Sequence, residues 1–301
     1  MSNKYLIVVA GPTAVGKTEL CIELAKELGT EIVSADSRQF FRELTIGTAK
    51  PTEAELRAVP HHFINTHSIA APYSAGDYER DALRLLDKLF AEKDYVILTG
   101  GSGLYIKAVC EGLDDLPPPV PGLRDELMRR LREEGLESLQ AEVQRLDPGF
   151  SSTPEFLNPQ RVVRALEVFY TSGRPFSSFR SERPQERLFR TLLIALDRDR
   201  KMLYERIEKR MDQMLAAGLV EEARSVIEYR HHHALKTVGY KEVFDFLDGK
   251  YDETEMERLL KQNTRRYAKR QLTWFRHQGN FTFFAADDYE GIKAWVDSRL
   301  I

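Results

Sequence analysis

The sequence predicts an α/β protein in which helices flank a parallel sheet and a mainly helical segment is inserted into the chain. Three apolar runs, Tyr5–Ala10, Tyr95–Thr99 and Arg190–Asp197, are typical of buried strands. Helical periodicity follows the first and third runs, and such alternation of strands and helices indicates a parallel sheet covered on both faces. With 301 residues, the chain is long enough for one large domain or two modest ones.

A phosphate-binding motif joins the first strand to the first helix. Residues 11–18, GPTAVGKT, match G-x-x-x-x-G-K-[ST] at every fixed position. The two glycines allow successive backbone N–H groups to point inward, and the start of the helix adds its positive end. Lys17 supplies a mobile charge for the outer phosphate, and the Thr18 hydroxyl can hold Mg²⁺. A P-loop for a di- or triphosphate, and with it a P-loop NTPase-like fold, is therefore predicted from Gly11, Pro12, Thr13, Ala14, Val15, Gly16, Lys17 and Thr18.

Polar residues follow two other predicted strands. A short strand over Glu31–Asp36 ends on a carboxylate. Ligands of such sheets bind beyond the carboxyl ends of the strands, so Asp36 is expected near the P-loop, with a turn or cap role as an equal alternative. The strand Tyr95–Thr99 leads into a second glycine-rich turn, Gly100–Tyr105, which is either a wall of the substrate site or an ordinary turn.

The segments between these strands show less pattern. No periodicity covers Ser37–Lys50 or Pro51–Asn65, and both are expected to be irregular. A capping box at Ser74 then begins a helix that is predicted to run to Glu92.

The composition changes after the first part of the sheet. The proline-rich stretch Asp114–Pro121 marks a boundary. From Leu116 to Arg190 the chain has 12 Arg and no Lys against 11 acidic residues, with helical periodicity over Arg124–Leu146 and Pro159–Thr171. Arginine suits a surface that clamps phosphates and stacks on bases, and a solvated helical face is the alternative.

This segment is interpreted as an insertion. A loop over Ser172–Glu186, which includes Arg183, precedes the next buried strand. The sequence therefore predicts a helical insertion domain over residues 116–190 in a catalytic core formed by residues 1–115 and 191–301.

The C-terminal part has features that suit phosphate and RNA. Lys201–Tyr229 is predicted to be helical, and its Arg210 either neutralises leaving-group charge or lies on the surface. The last predicted helix, Glu255–His277, places basic residues beside aromatic ones, which suits RNA backbone tracking and base stacking. Phe281–Phe284 is predicted as the final strand.

The bulk properties exclude several classes of protein. The net charge of −3 means that any nucleic-acid binding must come from local patches. Cys21 and Cys110 are the only cysteines, which excludes a disulfide framework and a zinc ribbon. The first apolar run is too short for a signal peptide or a membrane span, so a cytoplasmic protein without membrane contact is expected.

Several of these stretches together resemble the tRNA dimethylallyltransferases, also called tRNA isopentenyltransferases. They occur in the family's order and span nearly the whole chain. The matching segments are GPTAVGKT (11–18), VSADSRQFF (33–41), IGTAKP (46–51), YSAGDYERDA (73–82), GGSGLY (100–105), NPQRVVRALEV (158–168) and RRYAKRQLTWFR (265–276).

The resemblance implies an activity and a set of roles. The family transfers a dimethylallyl group from dimethylallyl diphosphate to N6 of the adenosine directly 3′ of the anticodon (position 37). The P-loop would then hold the diphosphate of the donor rather than ATP, with Mg²⁺ at Thr18. Asp36 would be the general base, and Arg210 would neutralise the departing diphosphate. Ser102, where the family usually has threonine, would keep a hydroxyl contact with the target base.

The resemblance also implies how tRNA is held. The partner would be the anticodon stem-loop of tRNA, bound by a chain that is expected to be a monomer. The residues implied in this contact are Asp36, Ser37, Arg38, Gln39, Ser102, Arg124, Pro159, Gln160, Arg161, Val162, Val163 and Arg164.

Two other functions use the same motif. A small-molecule kinase would combine the P-loop with Asp36 as base and Arg206 and Arg210 as a lid, but it has no need for an arginine-rich insertion. A nucleic-acid-dependent ATPase would use Asp197, which ends an apolar strand as Asp36 does and is a second candidate for supporting a metal.

Overall fold

The computed structural model describes residues 3–180 and 184–300, so Arg183 of the predicted loop lies outside the described residues. The chain divides into two compact units. The core unit consists of Met1–Glu111 and Glu186–Ile301, and the helical unit of Gly112–Gln185. These borders differ by four or five residues from the sequence-based ones at 115 and 190.

The core unit contains a six-stranded sheet in which every pairing is parallel, in the order β3-β2-β4-β1-β5-β6. Ala10 at the end of the central strand lies opposite Gly100 on one side and Ala195 on the other. The loops that follow these strands therefore start at one edge of the sheet. The strands are β1 Tyr5–Ala10, β2 Ile32–Ser34, β3 His61–His62, β4 Tyr95–Gly100, β5 Arg190–Asp197 and β6 Thr282–Ala285.

Helices account for most of the remaining described structure. Longer helices of the core unit flank the sheet, and none in the described ranges is both long and apolar enough to cross a bilayer. The helices are α1 Lys17–Glu27, α2 Glu53–Ala58, α3 Ala75–Glu92, α4 Gly103–Glu111, α5 Leu123–Glu134, α6 Leu136–Leu146, α7 Pro148–Ser151, α8 Pro159–Ser172, α9 Arg200–Ala216, α10 Leu219–Ser225, α11 Tyr240–Leu247, α12 Glu253–His277 and α13 Tyr289–Asp297.

The sheet is buried on both faces. All six residues of β1 are buried, and alternate side chains along a strand point to opposite faces. Leu6 and Val8 belong to a core that includes Leu86 of α3, whereas Ile7 belongs to a second core with Ile207 of α9. Two cores on either side of one parallel sheet confirm the predicted α/β class.

The second segment expected to be irregular contains regular structure. Within Pro51–Asn65 the chain forms α2, which Thr52 begins with a complete capping box, and then the edge strand β3. That expectation was wrong because α2 has only six residues and buries none of them, so it leaves no apolar period. The two residues of β3 are strand only because they pair with Ile32 and Val33.

Two predicted helical stretches are each broken by a glycine. Gly135 separates α5 from α6, and Gly218 in a left-handed conformation separates α9 from α10. The predicted final strand is confirmed as β6, and the helix α13 that follows it packs Ile292 and Val296 into the second core. The predicted capping box at Ser74 is confirmed, as is the end of its helix at Glu92.

The helical unit has a core of its own. Helices α5, α6 and α8 pack around Leu127, Val143 and Leu166, all at most 1% exposed. Buried Asp147 accepts hydrogen bonds from the backbone N–H groups of Phe150 and Ser177, at 3.0 and 2.8 Å. The arginine-rich sequence of this unit is therefore compatible with a packed interior.

Candidate active site

The P-loop connects β1 to α1 at the carboxyl edge of the sheet. Gly16 has a φ of 119°, a conformation that side chains rarely adopt, and it directly precedes the first helical residue, Lys17. The first N–H groups of a helix have no partner within it and carry its positive end. The turn thus places unpaired donors and a lysine at one point, as an anion site requires.

Lys17 is folded back over this loop. Its Nζ donates to the carbonyl oxygens of Gly11 and Pro12, both at 2.9 Å. Burial lowers the pKa of Lys17 to about 8; the negative charge of Asp36 opposes this shift, and the positive charge of Arg210 adds to it. The structure therefore brings Asp36 and Arg210 within electrostatic range of Lys17.

Further arginines surround the P-loop. Arg206 Nε donates to the carbonyl of Ala14 at 2.8 Å, and Arg198 Nε donates to the carbonyl of Val15 at 3.3 Å. Arg210 is partly buried, and burial lowers its pKa, with the charge of Arg206 as the next cause. Positive charge held this closely around a nest of N–H groups fits a ligand with several negative charges.

Asp36 lies just beyond the end of β2, where its position in the sheet predicted it. One carboxylate oxygen, Oδ1, accepts from the backbone N–H of Arg38 at 2.9 Å. The neighbouring N–H of Ser37 donates to Ser102 Oγ at 3.0 Å, which joins this turn to the glycine-rich turn after β4. The charge of Asp36 also helps burial to raise the pKa of Tyr267 to about 12, so α12 forms another side of the site.

The two residues after Ser37 have different surroundings. Gln39 Nε2 donates to the carbonyls of Thr48 and Ala49, at 3.3 and 3.1 Å, and its Oε1 accepts from Ser34 Oγ at 3.1 Å. Its amide is therefore occupied in holding the loop of residues 46–51. Arg38, by contrast, has a buried Nε without a hydrogen-bond partner among the described residues.

A residue that the sequence did not single out as part of the site lies between the two glycine-rich turns. Gln271 of α12 is 7% exposed. Its Oε1 accepts from the N–H of Thr13, and its Nε2 donates to the carbonyl of Gly101, both at 2.9 Å. A Cβ at Gly101 would lie 2.3 Å from that Nε2, so the second glycine-rich turn is shaped by the close approach of α12.

The donors at the site fit a metal ion that a bound diphosphate helps to hold. In residues 3–180 and 184–300, no group of three or more His, Cys, Asp or Glu side chains could hold a metal by itself. The oxygens of Asp197, the second candidate for supporting a metal, accept from Arg198 N at 2.8 Å and from Arg276 Nη2 at 2.7 Å. Mg²⁺ keeps several waters and takes substrate phosphates as ligands, so it does not require such a group of side chains.

The predicted tRNA-binding residues of the helical unit separate into two groups. Arg124 and Arg164 each donate to the buried carboxylate of Glu167, at 3.1 and 2.9 Å, and Arg124 also donates to Gln160 Oε1 at 3.1 Å. Pro159, Gln160 and Arg161 are exposed at the start of α8.

The two valines of that set need a correction. The side chains of Val162 and Val163 are completely buried in the core of the helical unit. They face inward because their positions on α8 fall on its apolar side. Their side chains are therefore not available for contact with RNA.

A parallel sheet with a P-loop and a carboxylate beyond its carboxyl edge defines a P-loop enzyme that acts on a phosphorylated substrate. The family profile described as IPP transferase matches residues 39–278, and the chain belongs to that family of transferases. It is 50% identical over 298 residues to a tRNA dimethylallyltransferase of Cytophaga hutchinsonii, covering 99% of this chain and 98% of that one.

Two further comparisons agree with this assignment. A tRNA dimethylallyltransferase of Christiangramia forsetii is 48% identical over 301 residues, covering 100% of this chain and 99% of that one. The crystal structure of a full-length tRNA isopentenylpyrophosphate transferase from Bacillus halodurans has a TM-score of 0.72 and 34% identity, with 99% of this chain and 97% of that chain covered. Likeness over the whole length means that sheet, P-loop and helical unit all have counterparts in these relatives.

Proposed function

We propose that this chain transfers a dimethylallyl group from dimethylallyl diphosphate to N6 of the adenosine 3′ of the anticodon in tRNA. The observation that carries the proposal is the juxtaposition of Asp36 and Ser102 beside the P-loop, in a member of the IPP transferase family. The amine acceptor requires a base, which the carboxylate provides, and a group such as the hydroxyl to hold the adenine. The allylic donor requires a site for its diphosphate.

Asp36 serves as the general base. The exocyclic amine of adenine is a weak nucleophile because its lone pair is shared with the ring. A carboxylate within hydrogen-bond distance takes the proton as the N6–carbon bond forms. One oxygen of Asp36 accepts from the N–H of Arg38, which fixes the orientation of the carboxylate. The Ser102 hydroxyl orients the target adenine.

The P-loop side of the site receives the leaving group. As the bond between carbon and diphosphate oxygen breaks, allylic cation character grows and negative charge collects on the diphosphate. Lys17 and Arg210 stabilise that charge in a partly buried setting, where such contacts contribute most to lowering the barrier. The Thr18 hydroxyl would hold Mg²⁺, which would supply further positive charge to stabilise the departing diphosphate.

The remaining residues hold the tRNA. An adenine must leave the stack of the anticodon loop before N6 can reach Asp36. Ser37 and Arg38 are placed to contact the neighbouring nucleotides, with Gln39 fixing the loop beside them. The exposed Arg124, Gln160 and Arg161 and the half-buried Arg164 bind the stem-loop phosphates. We expect a monomeric enzyme that works in the cytoplasm, where tRNA is modified.

The test is nucleoside mass spectrometry of unmodified tRNA after incubation with the protein, Mg²⁺ and dimethylallyl diphosphate. An adenosine heavier by one dimethylallyl group is the expected product. A tRNA that lacks adenosine 3′ of the anticodon serves as the matched substrate control and should remain unchanged. Unmodified tRNA together with consumption of ATP would instead favour the kinase or ATPase.

A further inference from the structure

Gln271 connects two loops that carry different parts of the reaction. Its amide oxygen accepts from the N–H of Thr13 in the P-loop, and its amide nitrogen donates to the carbonyl of Gly101. One loop holds the donor's diphosphate in the proposed function, and the other carries Ser102 on the acceptor side. A single planar amide thus fixes the separation of the two substrate-binding loops.

The surroundings of this amide leave it little freedom. Gln271 is 7% exposed, and Gly101 approaches so closely that a methyl group there would lie 2.3 Å from Nε2. A buried donor or acceptor that loses its partner is destabilising, because no hydrogen bond then compensates for its lost hydration. Both loops are therefore held at a fixed separation. Gln271 is also anchored by α12, whose Ala268 and Phe275 are buried in the two cores of the sheet.

An ordinary buried glutamine would satisfy its amide within its own helix or with one neighbour. Gln271 instead meets one backbone group from each loop, and these groups are 258 and 170 residues away along the chain. A misplacement of about 1 Å between reacting groups can reduce a rate by about two orders of magnitude. The separation of the loops is therefore a quantity on which the reaction rate depends.

We infer that Gln271 is a positioning residue, which sets the distance between the diphosphate and the target adenine without touching either. This inference rests on the proposed function. The amide does no chemistry and binds no substrate. It acts by holding the N–H of Thr13 and the carbonyl of Gly101 at opposite ends of one rigid group.

Gln271→Glu gives a readout that simple loss of structure would not produce. A protonated glutamic acid has the shape of glutamine: its carbonyl oxygen accepts from Thr13 N–H and its hydroxyl donates to the Gly101 carbonyl. The ionised form has no donor for Gly101. Burial at this position favours the neutral form of a carboxyl group, so the variant should become protonated as the pH falls to about 5.5. Compared with wild type at the same pH, we expect its single-turnover prenylation to be about two orders of magnitude slower at pH 8 and to recover at least about tenfold by about pH 5.5.

Two further variants complete the test. Gln271→Met keeps the volume but loses both hydrogen bonds, and should be slow at every pH. Gln262→Glu makes the matched amide-to-acid change on the same helix, more than two turns before Gln271, and should keep the wild-type pH profile. A Gln271→Glu profile parallel to the wild-type one, or a Gln271→Met rate within about twofold of wild type, would overturn the inference.

The wild-type protein separates this inference from the proposed function. If wild type forms no prenylated adenosine, the proposed function fails, whatever the variants do. The positioning role is then read from inorganic pyrophosphate binding by calorimetry. Gln271→Met should bind pyrophosphate about tenfold more weakly, because freeing Thr13 disorders the P-loop, and unchanged binding would count against the role.

Discussion

Two charged residues beside the P-loop in the core unit and the arginines of the helical unit are held in different ways. At the edge of the sheet, Lys17 donates to two backbone carbonyls and Asp36 accepts from a backbone N–H. In the helical unit, arginines pair with carboxylates: Arg129 with Glu126 at 2.7 Å, and Arg130 with both Glu134 and Glu142. Backbone groups thus fix Lys17 and Asp36, although the core unit has ion pairs elsewhere, such as Arg276 with Asp197. In the helical unit, carboxylates balance the arginines.

This difference matches the task proposed for each unit. A charge fixed by backbone groups keeps its full field for a substrate and does not need to break an ion pair before it acts. A surface ion pair contributes roughly 0–1 kcal/mol, so an arginine can exchange its carboxylate for an RNA phosphate at little cost. In the proposed function, the chemistry would thus depend on single charges fixed by the backbone, and tRNA binding on several arginines that can exchange their partners.

The largest effect is expected where one rigid charge does the chemistry. Asp36→Asn keeps the size of the side chain and its acceptor for Arg38 N–H, but it cannot take a proton. Turnover should fall by about two orders of magnitude or more, while tRNA affinity stays within a fewfold of wild type. Single-turnover kinetics and filter binding on the same preparation measure the two quantities. A normal single-turnover rate would remove Asp36 from the role of base.

A smaller effect follows from the charge of Lys17. Its pKa of about 8 lies below the usual 10.5, so the ammonium form is lost as the pH rises through about 8. A bound diphosphate favours the protonated lysine, so the affinity for dimethylallyl diphosphate should be constant below about pH 8. Above it, affinity should fall by up to about tenfold per pH unit until the pKa of the complex is reached.

Lys17→Arg is the matched control for this pH dependence. Arginine remains charged throughout the range, so its affinity for the donor, although altered by the different shape, should not depend on pH between about 7 and 9.5. Calorimetry without tRNA measures both proteins. If the affinity for the donor falls with rising pH in both proteins, a group other than Lys17 causes the fall.

The sequence was sufficient to predict those parts of the fold and the site that consist of consecutive residues. The P-loop occupies eight successive residues, and β1, β5 and the capped helix from Ser74 follow from short patterns, so their predicted bounds agree with the structure. Asp36 was placed by topology, since β2 must end at the same edge as β1. Its strand proved shorter than predicted, because only Ile32–Ser34 pair with neighbours.

Parts that depend on distant contacts were not predictable. Gln271 lies in a basic helix. Its amide connects two loops that are distant along the chain, and nothing in the neighbouring sequence indicates these contacts. The two valines of α8 were carried over with their neighbours because a motif does not reveal which face of the helix is buried. Edge strand β3 exists only through its pairing with β2.

The smallest effect tests how two arginines of the helical unit are oriented. Glu167 is 2% exposed and holds Arg124 and Arg164 from two helices beside Gln160. Glu167→Gln removes a negative charge, which by charge alone should strengthen the binding of RNA. Because the two arginines lose the group that orients them, we expect tRNA affinity to fall instead, by about three- to tenfold, or roughly 1 kcal/mol.

Glu126→Gln is the matched control, since it removes an exposed carboxylate that pairs with Arg129 on the same unit. Charge removal without a positioning role should leave tRNA affinity unchanged or slightly raised. Titrations of the anticodon stem-loop at several salt concentrations compare the two variants, with thermal unfolding to show that the unit remains folded. If Glu167→Gln binds as tightly as Glu126→Gln, the arginines need no buried partner, and this unit binds RNA through net charge alone.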